Sequence, residues 1–113
     1  MTLADVPHTD VASLPLLERC AGAVPDDAEL QADLGAAYEA ASRTGDAERA
    51  LRRALTVDPD FAEVHLRLAT LLAARGATSE AREHAEAALR LQPNRTAVQQ
   101  LISRLGTPTE HQQ

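Results

Sequence analysis

The sequence predicts an all-α fold built from antiparallel helix pairs repeated in tandem. Three observations carry that prediction. The first is composition: the 113 residues are 44% hydrophobic but only 2% aromatic, and Ala, Leu, Glu and Arg, all good helix formers, dominate. Tyr38 and Phe61 are the sole aromatic residues, so the core must be made of Leu, Val and Ala. The second is punctuation: Pro25, Pro59 and Pro93 recur at a constant 34-residue interval. The third is a gapless self-match, in which Ala28–Pro59 lies over Ala62–Pro93 with identities at Ala28/Ala62, Glu29/Glu63, Leu34/Leu68, Thr44/Thr78, Ala47/Ala81, Ala54/Ala88, Leu55/Leu89 and Pro59/Pro93. Alanines coincide easily between two helical segments; shared Leu and Pro positions in one register do not. A fixed period of this length marks tandem structural units.

Within each unit the apolar pattern changes helix once. Leu30, Leu34, Ala37, Tyr38 and Ala41 follow the spacing of one buried helical face. The stretch "SRTGD" then breaks the pattern, with Gly45 read as the residue that permits the turn, and Ala47, Ala50, Leu51, Ala54 and Leu55 form a second face. In the next unit Val64, Leu68, Leu71 and Leu72 precede the turn "RGATS", and Ala81, Ala85, Ala88 and Leu89 follow it. Asp26 with Glu29 and Asp60 with Glu63 read as capping-box starts; Thr44 or Gly45, Ser79 and Asn94 read as the other N-caps. Each proline drives its predecessor, Val24, Asp58 or Gln92, out of the α region and so ends a helix. Before the first unit, "SLPLLERCAGAVP" reads as one helix, with Leu17 and Cys20 at packing positions. After the second, "NRTAVQQLISRLG" reads as another, with Val98, Leu101, Ile102 and Leu105 on its apolar face. Six helices are therefore predicted, at about 12–23, 27–42, 46–57, 61–75, 79–91 and 95–105.

This pattern resembles the tetratricopeptide repeat, a helix-turn-helix unit of about 34 residues. Leu68, Ala69, Leu72, Gly76, Ala81, Ala85, Ala88 and Pro93 stand at the family's signature positions in the second unit, as do Leu34, Gly35, Tyr38, Ala47, Leu51, Ala54 and Pro59 in the first. Two departures stand out: the early Trp position holds Gln31 and His65, and the turn glycine of the first unit is replaced by Ser42. The resemblance implies an α-solenoid of two full units, 28–59 and 62–93. A partial N-terminal unit (12–25) and a C-terminal capping helix (95–105) flank them within a domain spanning 10–106. Tails 1–9 and 107–113 are expected to be loose.

Bulk properties narrow the function. A net charge of −6 and an isoelectric point near 5.1 argue against general affinity for nucleic acid or anionic membranes. The single cysteine rules out an internal disulfide framework, and no segment reaches the roughly 18 apolar residues of a membrane span. The opening "MTLADVPHTD" has neither a basic n-region nor an apolar h-region, so no secretory signal is expected and a cytoplasmic location is. The absence of Lys beside abundant Ala and Arg suggests a GC-rich bacterial source.

No catalytic constellation emerges. His8 and His111 fall in the tails, while His65 and His84 lie on different helices with no second ligand at i+3 or i+4. No metal site or cofactor is expected, because zinc requires three or four converging ligands. Cys20 reads as a small packing residue. Glu48 with Arg52 and Glu86 with Arg90 read as surface pairs, and the Arg49, Arg52 and Arg53 cluster as a solvated face.

The resemblance implies instead that the first helix of each unit lines a concave groove that holds a peptide or partner protein. The corresponding positions are Glu29, Ala32, Asp33, Ala36, Glu39 and Ala40 in the first unit. In the second they are Glu63, Leu66, Arg67, Thr70, Ala73 and Ala74, with Gln100 and Arg104 on the last helix. One subgroup of the family grips acidic chaperone tails with Lys, Arg and Asn; Ala32 and Asp33 stand where such residues would be needed. A non-enzymatic adaptor for a protein or peptide is the first expectation. The alternative is a subunit that self-associates through Leu14, Leu16 and Leu17 or through Leu101, Ile102 and Leu105.

Overall fold

A computed structural model describes residues 14–106, and among these residues it contains six α-helices and no strand. They divide into two compact units that meet in sequence at Pro59 and Asp60. The first holds α1 (Leu14–Ala23), α2 (Ala28–Ala40) and α3 (Thr44–Val57); the second holds α4 (Ala62–Ala74), α5 (Thr78–Leu91) and α6 (Thr96–Leu105). The expected tails at 1–9 and 107–113 lie outside the described residues.

In the first unit α2 and α3 pack as an antiparallel hairpin, with α1 against α2. Leu34, Ala37, Tyr38, Ala47, Ala50, Leu51 and Ala54 are buried between them. The helices touch most closely at Gly35, where an added Cβ would stand 2.7 Å from Leu51 Cδ2 and 2.9 Å from its Cγ. One repeat later the same two positions hold Ala69 and Ala85, both 0% exposed. The contact is thus filled twice by different means, Gly against Leu and then the smaller pair, Ala against Ala.

The turns between paired helices have one backbone form. Ser42 N–H donates to Glu39 O (2.9 Å) and Arg43 N–H to Tyr38 O (2.8 Å); Gly76 N–H donates to Ala73 O (3.1 Å) and Ala77 N–H to Leu72 O (2.9 Å). Both are Schellman endings, and both need a left-handed residue: Ser42 at φ 61° and Gly76 at φ 89°. The first turn therefore does not rely on Gly45, which sits inside α3. Ser42 takes the strained conformation in its place.

Caps depart further from the sequence reading. Asp27, not Asp26, caps α2, its carboxylate accepting from Leu30 N–H at 3.1 Å. Arg43, Phe61, Ala77 and Arg95 occupy the N-cap positions of α3 to α6 without side-chain capping bonds. These helices start where the turn delivers them, and packing outweighs the missing cap. Asp58 (φ −133°, ψ 92°) is extended and Gln92 (φ −137°, ψ 77°) also lies outside the α region, as a residue before proline should. On α1 the buried residues are Leu14 and Ala21, while Cys20 is exposed. Leu17 is half-buried, but Ala21 takes the inner position expected of Cys20.

The second unit has α4 and α5 as its hairpin and α6 against α5, with lighter contact to α4. Leu66, Ala69, Ala85, Ala88, Val98 and Leu101 form one buried cluster, and Leu89, Ile102 and Leu105 pack on its edge. Arg82, on α5, fastens the far end of α6. Its guanidinium donates to Gly106 O (3.2 Å) and Leu105 O (3.4 Å), satisfying carbonyls that the helix leaves open. On the outer faces Arg52 pairs with Glu48 at 2.8 Å, whereas Glu86 and Arg90 are both exposed.

Candidate functional site

The second unit carries an open cleft of about 560 Å³ lined by Thr70, Ala73, Ala74, Thr78, Leu101, Arg104 and Leu105. The sequence makes it in three steps. At the cleft α4 presents only the small side chains of Thr70, Ala73 and Ala74, which leave the space above them unfilled. The turn at Gly76 brings Thr78, the first residue of α5, to one end. The amphipathic α6 buries Val98 and Leu101, which leaves Arg104 on the exposed side. The result is a floor of methyl and methylene groups with one cation at the edge. Thr70 is already satisfied, its hydroxyl donating to Leu66 O at 2.9 Å, so Arg104 is the principal polar anchor.

Of the groove positions named from the sequence, Thr70, Ala73, Ala74 and Arg104 meet in this cleft. Gln100 is exposed on α6. Leu66 is only 9% exposed, because α6 covers it, and offers little surface to a ligand. Glu63 is paired with Arg95 (2.6 Å) and Arg67 (3.4 Å), so its charge is largely balanced within the unit. In the first unit Glu29 and Asp33 are exposed on α2, Ala32, Ala36 and Glu39 are half-buried, and Ala40 is exposed. Thr78, Leu101 and Leu105 belong to the cleft but were not among the expected groove residues. Leu101 and Leu105 read from the sequence as core; Leu105 is half-buried and keeps an edge on the cleft, while Leu101 is nearly covered and closes it from below.

The first unit has a smaller cleft, about 330 Å³, lined in part by Glu18, Gln31, Leu34, Tyr38 and Arg53. The Tyr38 hydroxyl donates to Glu18 Oε2 at 2.5 Å, and the Arg43 guanidinium lies 4.8 Å from the centre of its ring. Burial, then the bond to Glu18, raises the Tyr38 pKa. Gln31, 2% exposed, donates through Nε2 to Pro25 O at 3.4 Å, while its buried Oε1 has no hydrogen-bond partner among the described residues.

Fold and cleft together define a helical-repeat protein whose second unit carries a shallow, small-residue surface. Among the described residues no three His, Cys, Asp or Glu side chains gather as a metal site. A tetratricopeptide repeat profile matches residues 38–105, and the chain belongs to that family. Solved structures agree on the α-solenoid fold. The second tetratricopeptide domain of human RPAP3, in complex with an HSP70 peptide, matches with TM-score 0.76 at 22% identity, over 82% of this chain and 78% of that one. The first such domain of Spaghetti (RPAP3), bound to an HSP90 peptide, matches with TM-score 0.78 at 18% identity, over 82% and 74%. MamA from AMB-1 matches with TM-score 0.74 at 28% identity over 81% of this chain, which spans only 50% of that MamA chain. No curated protein sequence matches.

Proposed function

We propose that this chain is a non-enzymatic protein-interaction module, an adaptor that takes a peptide segment or one surface of a partner protein. The observation that carries the reading is the cleft of the second unit, with its floor of Thr70, Ala73 and Ala74 over the nearly buried Leu101, an apolar edge from Leu105, and Arg104 at the rim. Such a surface accepts small apolar side chains and one hydrogen-bond acceptor or carboxylate, and it holds nothing that reacts. Peptide-bound relatives of the same fold support it. In the first unit the exposed Glu29 and Asp33 on α2 suit a basic side chain. With Ala32 and Asp33 on that face, we read the ligand as a mixed segment of basic and small apolar residues, distinct from an acidic chaperone tail.

The net charge of −6 supports a partner that is neither nucleic acid nor membrane, and no helix among the described residues is long and apolar enough to cross a bilayer. A cytoplasmic, bacterial setting is the reading its composition supports. The test is a random-peptide display selection on the purified chain, repeated with Ala74→Arg, which fills the cleft, and with Arg104→Glu. Enriched peptides should lose at least tenfold in affinity for both variants while helicity is unchanged; undiminished binding would place the ligand elsewhere. A second reading, self-association, rests on Leu16, 59% exposed on α1. Leu14 and Leu101, each 3% exposed, are spent inside their own units. Sedimentation at rising concentration decides it, since a constant monomer mass removes that reading.

A further inference from the structure

The two histidines that the sequence kept apart meet in the second unit. His65, near the start of α4, and His84, in the middle of α5, face each other across the hairpin with Nδ1···Nδ1 3.1 Å. Their ring centroids are 5.3 Å apart and the planes are tilted by 34°. Both are half-buried, so the pair sits at the wet edge of the core. On its other side, His84 Nε2 lies 4.0 Å from Glu80 Oε2, one turn earlier on the same helix.

We propose that His65 and His84 form a two-nitrogen chelate for a late first-row divalent ion such as Zn²⁺ or Cu²⁺. The first argument is distance. Two imidazole nitrogens each about 2.0–2.1 Å from one ion stand roughly 2.9–3.4 Å apart for ligand angles of about 90–110°, and the observed 3.1 Å falls inside that range. The second is orientation. His84 turns Nε2 toward Glu80 Oε2, 4.0 Å away, and Nδ1 toward His65; a carboxylate beyond the outer nitrogen is a common neighbour of metal-binding imidazoles. Without the ion, one Nδ1–H of the pair donates to the other Nδ1 across 3.1 Å. The ion takes the place of that proton, which the ring that held it carries on Nε2 instead. The third is donor type: imidazole suits Cu²⁺, Ni²⁺ and Zn²⁺ and is a poor ligand for Mg²⁺. With two protein ligands the remaining positions go to water, so the ion exchanges readily and acts as a removable clip between α4 and α5.

Calorimetric titration of the whole chain with Zn²⁺, paired with thermal melts, tests this. The expected result is one ion per chain, a rise in Tm, and tighter binding of Cu²⁺ than of Zn²⁺. His65→Gln and His84→Gln should each weaken binding at least tenfold with helicity retained. Glu80→Gln should weaken it less, and His8→Gln with His111→Gln not at all. Imidazole ¹⁵N shifts of the unmutated protein give an independent readout: Zn²⁺ must move both Nδ1 resonances. No binding below millimolar Zn²⁺, equal stabilisation by Mg²⁺, binding that survives loss of both histidines, or shifts confined to Nε2 would overturn the proposal.

Discussion

At the residue scale the informative positions are those where the two repeats solve one problem differently. Ser42 and Gly76 hold the same left-handed turn position, but a Cβ there costs about 1–2 kcal/mol. Ser42→Gly relieves that strain and loosens the unfolded chain, so a net gain of about 0.5–1 kcal/mol is expected from urea unfolding; a loss would mean that the serine side chain stabilises the turn. Gly35 gives a second comparison. Gly35→Ala drives a methyl into Leu51, itself 0% exposed, and should cost about 1–3 kcal/mol. In a Leu51→Ala background, which copies the Ala69/Ala85 arrangement, the same change should be neutral or favourable. A double-mutant cycle therefore should show at least about 1 kcal/mol of coupling, and strict additivity would refute the close contact. The period placed all four residues in register from sequence. It did not show that serine carries the turn, because Gly45, three residues on, was the stronger local signal.

At the level of elements, helix existence followed from apolar spacing and proline, and bounds fell within a few residues of expectation. Caps did not follow, since four of the six helices start without a side-chain cap. Their starts are set by the preceding turn or proline, not by the nearest Ser, Asp or Asn. Long-range fastening was also invisible in sequence. Arg82 secures the end of α6 from 23 and 24 residues away, a partnership no local spacing reveals. Arg82→Met keeps the packing stem and removes the donors, so stability should fall by about 1 kcal/mol. Amide exchange should quicken roughly fivefold in the last turn of α6 while α2 and α3 keep their protection. Uniform acceleration would show that Arg82 supports more than that helix end. The His65–His84 contact was missed for the same reason: ligand spacing was sought along one helix, while the hairpin joins residues 19 apart.

For the whole molecule, the repeat pattern was sufficient to name the family. Thr70, Ala73, Ala74 and Arg104 were legible because register along a repeat says which side of a helix is left uncovered. Leu66 was not, because its burial depends on where α6 lies, and Glu63 was not, because its balance comes from Arg95 at the start of that same helix. The central claim is that the cleft of the second unit is the binding surface. Its most direct test is amide chemical-shift mapping of the ¹⁵N-labelled chain with a display-selected peptide. The largest shifts are expected at Thr70, Ala73, Ala74, Thr78, Leu101 and Arg104. Shifts concentrated instead on the outward residues of α5, such as Glu83, Glu86 and Arg90, with the cleft unmoved, would contradict it.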